Sequence, residues 1–169
     1  MATFWFFLPA ALFGGLWDLK YRKVPNILNA GILLAAVAWH ACRGEALAAS
    51  LGAAAGLASL LVPYFMGGMG AGDVKFMAAL GAAAAWPLAA DLVLWAAVSG
   101  GVLVFALALK PADWREAWLA ASSGGGQGLK IAFRSVASKR KERVPYALAM
   151  SAGFILCHFI PLVRGVLTQ

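Results

Sequence analysis

Two aspartates, Asp18 and Asp73, are the side chains of this sequence best suited to chemistry. Asp18 follows an uncharged N-terminal run and begins a charged turn that ends at Lys23. Asp73 ends a glycine-rich stretch that begins at Gly67, and we expect its glycines to leave space beside Asp73 and to allow positive φ angles. An ionisable group beside long apolar segments is costly, and it therefore indicates a functional site. When two carboxylates come together they share a proton, so one can take a proton from water while the other polarises a carbonyl. The pair predicts peptide-bond hydrolysis of the aspartic protease type.

Other catalytic chemistries have little support in the sequence. His40 and His158 fall at the outer side or in mid-span, away from the aspartates, and we interpret both as packing residues. Cys42 and Cys157 stand alone in apolar runs, and no C-x-x-C pair occurs that would indicate zinc. Nucleophile-elbow and Walker patterns are also missing from the sequence. We therefore expect neither a metal nor a cofactor.

Composition predicts a membrane protein. The chain has 169 residues, of which 63% are hydrophobic and 12% are charged, whereas soluble domains have about 25% charged residues. About 20 apolar residues span a bilayer as a helix. We predict an all-α, polytopic membrane protein with one domain over residues 1–169 and about six transmembrane helices, at approximately 3–17, 25–41, 46–66, 74–85, 88–109 and 144–163.

The basic residues predict how the helices are oriented. With six spans, all of the 14 lysines and arginines except Arg43 and Arg164 fall on one side. The positive-inside rule makes that side cytoplasmic, and it carries both aspartates. Residues 110–143 form the long polar loop on this side, with amphipathic segments that we expect to contact membrane lipids rather than nucleic acid.

Two further function classes fit a small membrane protein with acidic residues. A proton-coupled transporter also uses intramembrane carboxylates and glycine-broken helices. Carriers often contain inverted repeats, and residues 1–85 do not resemble residues 86–169. A non-enzymatic assembly factor, in which the glycines serve only helix packing, is the third class. The oligomeric state is left open by the sequence.

Three motifs together resemble one known family. They are Asp18 followed by Val24-Pro25-Asn26, then Gly70-Ala71-Gly72-Asp73-Val74-Lys75, and more loosely Val144-Pro145-Tyr146-Ala147 before the last span. In these motifs, and in the number and order of its predicted spans, the chain resembles the type IV prepilin peptidases. These are membrane aspartic proteases of the GxGD type.

The resemblance implies a function and the residues that perform it. Asp18 and Asp73 would be the catalytic pair, while Gly70, Gly72, Lys75, Pro25 and Asn26 would support it or contact substrate. The substrate would be a pilin-like precursor with a short basic leader, cut at the inner membrane by a site that faces the cytoplasm. Larger members also methylate the new N-terminus through an extra cysteine-containing region. Without that region the chain resembles the short form that serves tight-adherence (Flp) pili, for which cleavage alone is expected.

Overall fold

The described part of the chain is helical throughout. The computed structural model describes residues 2–21, 24–67, 69–108 and 146–160, and these ranges contain helices and turns but no strand. The all-α prediction is therefore confirmed for these ranges, and the loop predicted at 110–143 lies outside them. The helices are α1 (Ala2–Tyr21), α2 (Asn26–Ala41), α3 (Ala46–Phe65), α4 (Ala71–Ala84), α5 (Leu88–Ala108) and α6 (Tyr146–Phe159).

The contacts divide the chain into two compact units. One comprises residues 1–100 and 145–169, and the other comprises residues 101–144. Both aspartates and the helices that carry them belong to the first unit. The single domain over residues 1–169 stays a prediction.

The C-terminal end of α1 differs from the prediction. The sequence suggested a span ending at residue 17, with Asp18 in a charged turn, but α1 continues to Tyr21. The rings of Trp17 and Tyr21 lie 4.5 Å apart, one helical turn from each other, and the Lys20 ammonium lies 5.4 Å from the Tyr21 ring. The Trp17–Tyr21 pair, at i and i+4, stabilises this final helical turn. Asp18 is consequently held by a helix rather than by a loop.

Hydrogen bonds between helices define the relative directions of α1, α2 and α4. The Trp39 indole, near the end of α2, donates to Thr3 Oγ1, near the start of α1, at 3.2 Å. Helices α1 and α2 are therefore antiparallel. Asn29 contacts the start of α4 and His40 contacts its end, so α2 and α4 are parallel. It follows that α1 and α4 are antiparallel, with the C-terminus of α1 at the same end as the N-terminus of α4.

Helix α6 is antiparallel to both α1 and α5. Its Ser151 hydroxyl lies 2.6 Å from the Ala11 carbonyl oxygen, and its His158 ring stacks on Phe4 at 4.2 Å. The Ser99 hydroxyl of α5 lies 2.7 Å from the Ala149 carbonyl oxygen, and Trp95, earlier in α5, donates from Nε1 to the Ile160 carbonyl oxygen just after α6 (2.8 Å). The N-terminus of α6 therefore lies at the end of the bundle where α1 finishes.

Glycines let α3 and α4 pack backbone against backbone. A Cβ atom added at Gly52 would clash with the Gly81 carbonyl oxygen, and one added at Gly81 would clash with the Gly52 carbonyl oxygen. A Cβ atom added at Gly56 would lie 2.5 Å from the Met77 carbonyl oxygen, which is also too close. Small residues at helix contacts are typical of membrane proteins, where close backbone approach drives association.

Two described helices, α1 and α3, are long and apolar enough to cross a membrane, judged by length and composition. Helices α2 and α6 and the Leu88–Leu103 part of α5 are apolar but shorter. Each predicted membrane span coincides, at least in part, with a described helix, and the crossing of a bilayer by six helices stays a prediction.

Glycine packing predicts a contrast between two Gly→Ala variants. Gly52→Ala should lower the free energy of unfolding by about 1–3 kcal/mol, because the added methyl group forces α3 away from α4. Gly31→Ala lies in α2 with nothing within 4 Å of its new Cβ, and it should be neutral or stabilise by up to about 1 kcal/mol. Thermal unfolding in detergent measures both variants, and equal effects would contradict this packing.

Candidate active site

Asp18 and Asp73 lie at the same end of the α1–α4 interface. A Cβ atom added at Gly14 would come within 2.6 Å of the Phe76 ring, so these two residues mark a contact between α1 and α4. Asp18 lies four residues after Gly14, and Asp73 lies three residues before Phe76. Both spacings keep a residue on the same helix face. Because the helices are antiparallel, both aspartates lie about one turn beyond this contact, in the same direction.

The Asp18 carboxylate binds the N-terminus of α6. Its side chain is only 3% exposed, and its Oδ2 accepts a hydrogen bond from the Ala147 backbone N–H at 3.2 Å. The N–H groups of a first helical turn have no partner inside the helix, so Asp18 supplies one from another helix. Ser151 supports this alignment, because it packs against Gly15 on α1.

The Asp73 carboxylate lies in the first turn of its own helix. Asp73 is the third residue of α4, is partly buried, and accepts a hydrogen bond at Oδ2 from the Gly70 backbone N–H (3.2 Å). This is the acidic half of a capping box; the other half is impossible because glycine has no side chain. A Cβ atom at Gly70 would lie 3.3 Å from Asp73 Oδ2. The glycine therefore keeps the space beside the carboxylate open.

The glycines of this stretch act mainly by their small size. We expected them to allow positive φ angles, but Gly70 has a φ of −84° and Gly72 is helical. Gly67 does have a positive φ, at +73°. A Cβ atom at Gly72 would come within 3.4 Å of the Val24 carbonyl oxygen. The absence of that atom lets α4 begin against the chain that leads into α2.

The two predicted motifs meet at this point. Pro25 immediately precedes α2 in an extended conformation, with a φ of −62° and a ψ of 134°. Asn26 is the first residue of α2, and its Oδ1 accepts a hydrogen bond from the Lys75 ammonium at 3.4 Å. The segments around Pro25 and Gly72, far apart in sequence, thus form one surface beside Asp73. Val144 and Pro145 of the third motif lie outside the described residues.

Asn29 is a member of this cluster that our sequence analysis missed. It is 3% exposed, and its Nδ2 donates to the Gly72 carbonyl oxygen at 3.0 Å. The sequence did contain a signal for Asn29. It lies one helical turn after Asn26 and is the second amide side chain in an otherwise apolar run. A buried polar side chain in such a run requires a partner.

The electrostatic setting suits a pair of acids. Each carboxylate accepts a backbone N–H at a helix N-terminus, Asp18 from α6 and Asp73 from the start of α4. Helix N-termini attract negative charge, which offsets part of the cost of placing two acids at one end of the bundle. Carboxylates held in this way can exchange a proton with water and with a substrate, and so can act as general base and general acid.

The histidines lie away from the aspartates. His40 is at the opposite end of α2, with Nδ1 3.1 Å from Glu45 Oε2, and His158 stacks on Phe4 near the start of α1. Asp91 is fully buried at the beginning of α5. These residues belong to the other end of the bundle.

Comparison with known proteins identifies one match. The family model described as the type IV leader peptidase family matches residues 5–105, a range that includes Asp18 and Asp73. A search of curated proteins and a search of solved structures each returned no match.

The contact with Ala147 predicts that Asp18 has a structural role that asparagine can fill. Asp18→Ala removes the acceptor at the start of α6 and should lower the free energy of unfolding by about 1 kcal/mol, as loss of a helix cap does. Asp18→Asn keeps an oxygen acceptor and should lower the free energy of unfolding by a smaller amount. Ser50→Ala is the control, because its exposed hydroxyl bonds only within α3. Equal losses for Asp18→Asn and Asp18→Ala, measured by thermal unfolding, would contradict this role.

Proposed function

Because the chain belongs to the type IV leader peptidase family, we propose that it is a membrane aspartic endopeptidase that removes the leader peptide from type IV pilin-like precursors. Asp18 and Asp73 form the catalytic pair in this proposal. The observation that carries it is their common location at one end of the α1–α4 interface, each accepting a backbone N–H at a helix N-terminus. Membership of a peptidase family also favours this function over a transporter or an assembly factor.

The proposed reaction uses one shared proton. The ionised member of the pair takes a proton from water, and the water oxygen attacks the carbonyl carbon of the scissile peptide bond. The protonated member donates its hydrogen to the carbonyl oxygen, so a neutral tetrahedral intermediate forms. The C–N bond then breaks as a proton passes to the leaving nitrogen, which becomes the amino terminus of the mature protein. The two carboxyl groups titrate as a unit, so the proton is assigned to the pair.

Apolar side chains on the outside of the bundle support a membrane location. Ile27, Leu34, Leu47 and Phe65 are 70% to 88% exposed, whereas the contact between α3 and α4 is made by glycine. Soluble monomers rarely expose large contiguous apolar surfaces, and lipid would cover such side chains. We propose that the helices form a multi-pass bundle in the inner membrane.

Charges at the two ends of the bundle support a cytoplasmic active site. Lys20 and Lys75 lie near the aspartates, whereas Arg43 lies at the opposite end, over the Trp39 ring. The positive-inside rule then directs the aspartate end to the cytoplasm. A precursor with a cytoplasmic leader and an apolar helix would have its junction at this level of the membrane.

The glycines beside Asp73 suit an extended substrate. Neither Gly70 nor Gly72 has a side chain to obstruct a second backbone next to the carboxylate, and both are at least partly accessible to solvent. We propose that the residues around the scissile bond lie along this stretch. Lys75, which is exposed and bonds Asn26, can also donate to a substrate carbonyl.

Isosteric replacement of either aspartate tests this function. Asp18→Asn and Asp73→Asn should each reduce precursor cleavage by about 10²-fold or more, because an amide cannot exchange the required proton. The measurement is co-expression with a pilin-like precursor, scored by product size, with membrane insertion checked in parallel. Glu45→Gln is the matched control, since this exposed acid lies at the opposite end of the bundle and should leave cleavage unchanged. Normal processing by either Asp→Asn variant would contradict the proposal.

The shared proton predicts a bell-shaped pH profile. At low pH both carboxyl groups are protonated and the base is lost, while at high pH both are ionised and the acid is lost. Cleavage of a precursor peptide by the purified protein, measured as kcat/KM across pH, should therefore pass through a maximum. A rate that rises with pH to a plateau without falling would indicate a different base.

A further inference from the structure

We propose that Asn29 is a positioning residue that holds Asp73 in its reacting geometry. This inference rests on the proposed function, because it assigns Asp73 to catalysis. The bond on which it depends joins Asn29 Nδ2 to the Gly72 carbonyl oxygen at 3.0 Å, and Gly72 immediately precedes Asp73. In this role Asn29 acts through the backbone of the residue before Asp73.

The Gly72 carbonyl is an effective point from which to control Asp73. Its oxygen belongs to the peptide unit that also contains the Asp73 nitrogen, so a hydrogen bond to it restrains the plane of that peptide. Gly72 has no side chain to fix its own position, and a Cβ atom added there would lie 3.4 Å from the Val24 carbonyl oxygen. An amide from α2 therefore supplies a restraint that glycine lacks. Because the Asp73 Cα atom is bonded to the nitrogen of that peptide unit, the same restraint limits where the Asp73 side chain can lie.

The side-chain oxygen of Asn29 indicates that this residue does more than fill space between helices. Its Oδ1 is buried and has no hydrogen-bond partner among the described residues. A buried acceptor without a partner costs stability, and an apolar side chain of similar shape would avoid that cost. The amide orientation follows from the Gly72 carbonyl, which can accept a hydrogen bond but cannot donate one. What asparagine adds at this site is thus one directed donor to the residue before Asp73.

His40 provides an internal comparison. It is also buried on α2, and its Nε2 lies 3.4 Å from the Ala83 carbonyl oxygen of α4. The two contacts join the same pair of parallel helices, with His40 and Ala83 each eleven residues beyond Asn29 and Gly72. If these contacts only held α2 to α4, their loss should have similar effects. If Asn29 positions Asp73, only its loss should affect the chemical step.

Steady-state kinetics and thermal unfolding of the purified full chain test the proposal. Asn29→Leu should lower kcat for precursor cleavage about 10-fold or more, since small misplacement of a catalytic group is costly. KM should stay within about threefold, because uniform substrate binding is unaffected, and the melting temperature should be unchanged or higher. His40→Leu should leave kcat within about threefold of the wild type. Asn29→Asp, which keeps the side-chain size but has no donor when ionised, should lose kcat as Asn29→Leu does and serves if the leucine variant fails to insert.

Two results would overturn the inference. One is a normal kcat for either Asn29 variant, and the other is a loss of kcat that is matched by a lower melting temperature and reproduced by His40→Leu. A wild-type protein that cleaves no precursor would instead contradict the proposed function. Cleavage by the wild type and Asn29→Leu alike would contradict the role of Asn29 and leave the proposed function standing.

Discussion

The burial of α4 among its neighbours is the constraint on which the rest of this structure depends. Helix α4 contacts α1, α2, α3 and α6, and most of its residues from Val74 to Ala83 are buried. Small residues make this possible, because Gly52 and Gly56 on α3 let the two backbones meet. This packing places the first turn of α4, which carries Asp73, at the same end of the bundle as the C-terminus of α1. The site is a consequence of how one central helix packs.

Helix termini then determine how the acids are accommodated. A carboxylate that is nearly excluded from solvent needs hydrogen bonds, and Asp18 obtains one from Ala147 at the start of α6. Asp73 obtains one from Gly70 at the start of α4. The alternating directions of the helices bring these two N-termini and the C-terminus of α1 to one end of the bundle. The arrangement therefore brings two acids from distant parts of the sequence to one end of the bundle, where Lys75 donates a hydrogen bond to Asn26.

The sequence allowed the helices and the two aspartates to be predicted, because hydropathy and the cost of acidic residues beside apolar runs are local properties. It did not reveal that α1 extends past Asp18, since hydropathy reports where lipid begins rather than where a helix ends. The contact between Asn29 and the Gly72 carbonyl oxygen was also missed, because a second amide in an apolar run indicates that a partner is needed but not which backbone group on another helix supplies it. The spacing roles of Gly70 and Gly72 were predicted in part, but positive φ angles were expected where small size is what matters. These differences share one cause. Contacts between two helix backbones depend on how the helices are aligned against each other, and the sequence of neither helix shows that alignment.

The central claim is that Asp18 and Asp73 act together on one peptide bond. The most direct measurement is an experimental structure of the protein in lipid, bound to a precursor segment in which a hydroxyl-bearing carbon replaces the scissile amide, as in transition-state analogues. Both carboxylates should lie within hydrogen-bond distance of that hydroxyl, about 2.6–3.2 Å. A complex in which only one aspartate reaches the hydroxyl, while the other faces away from the substrate, would contradict it.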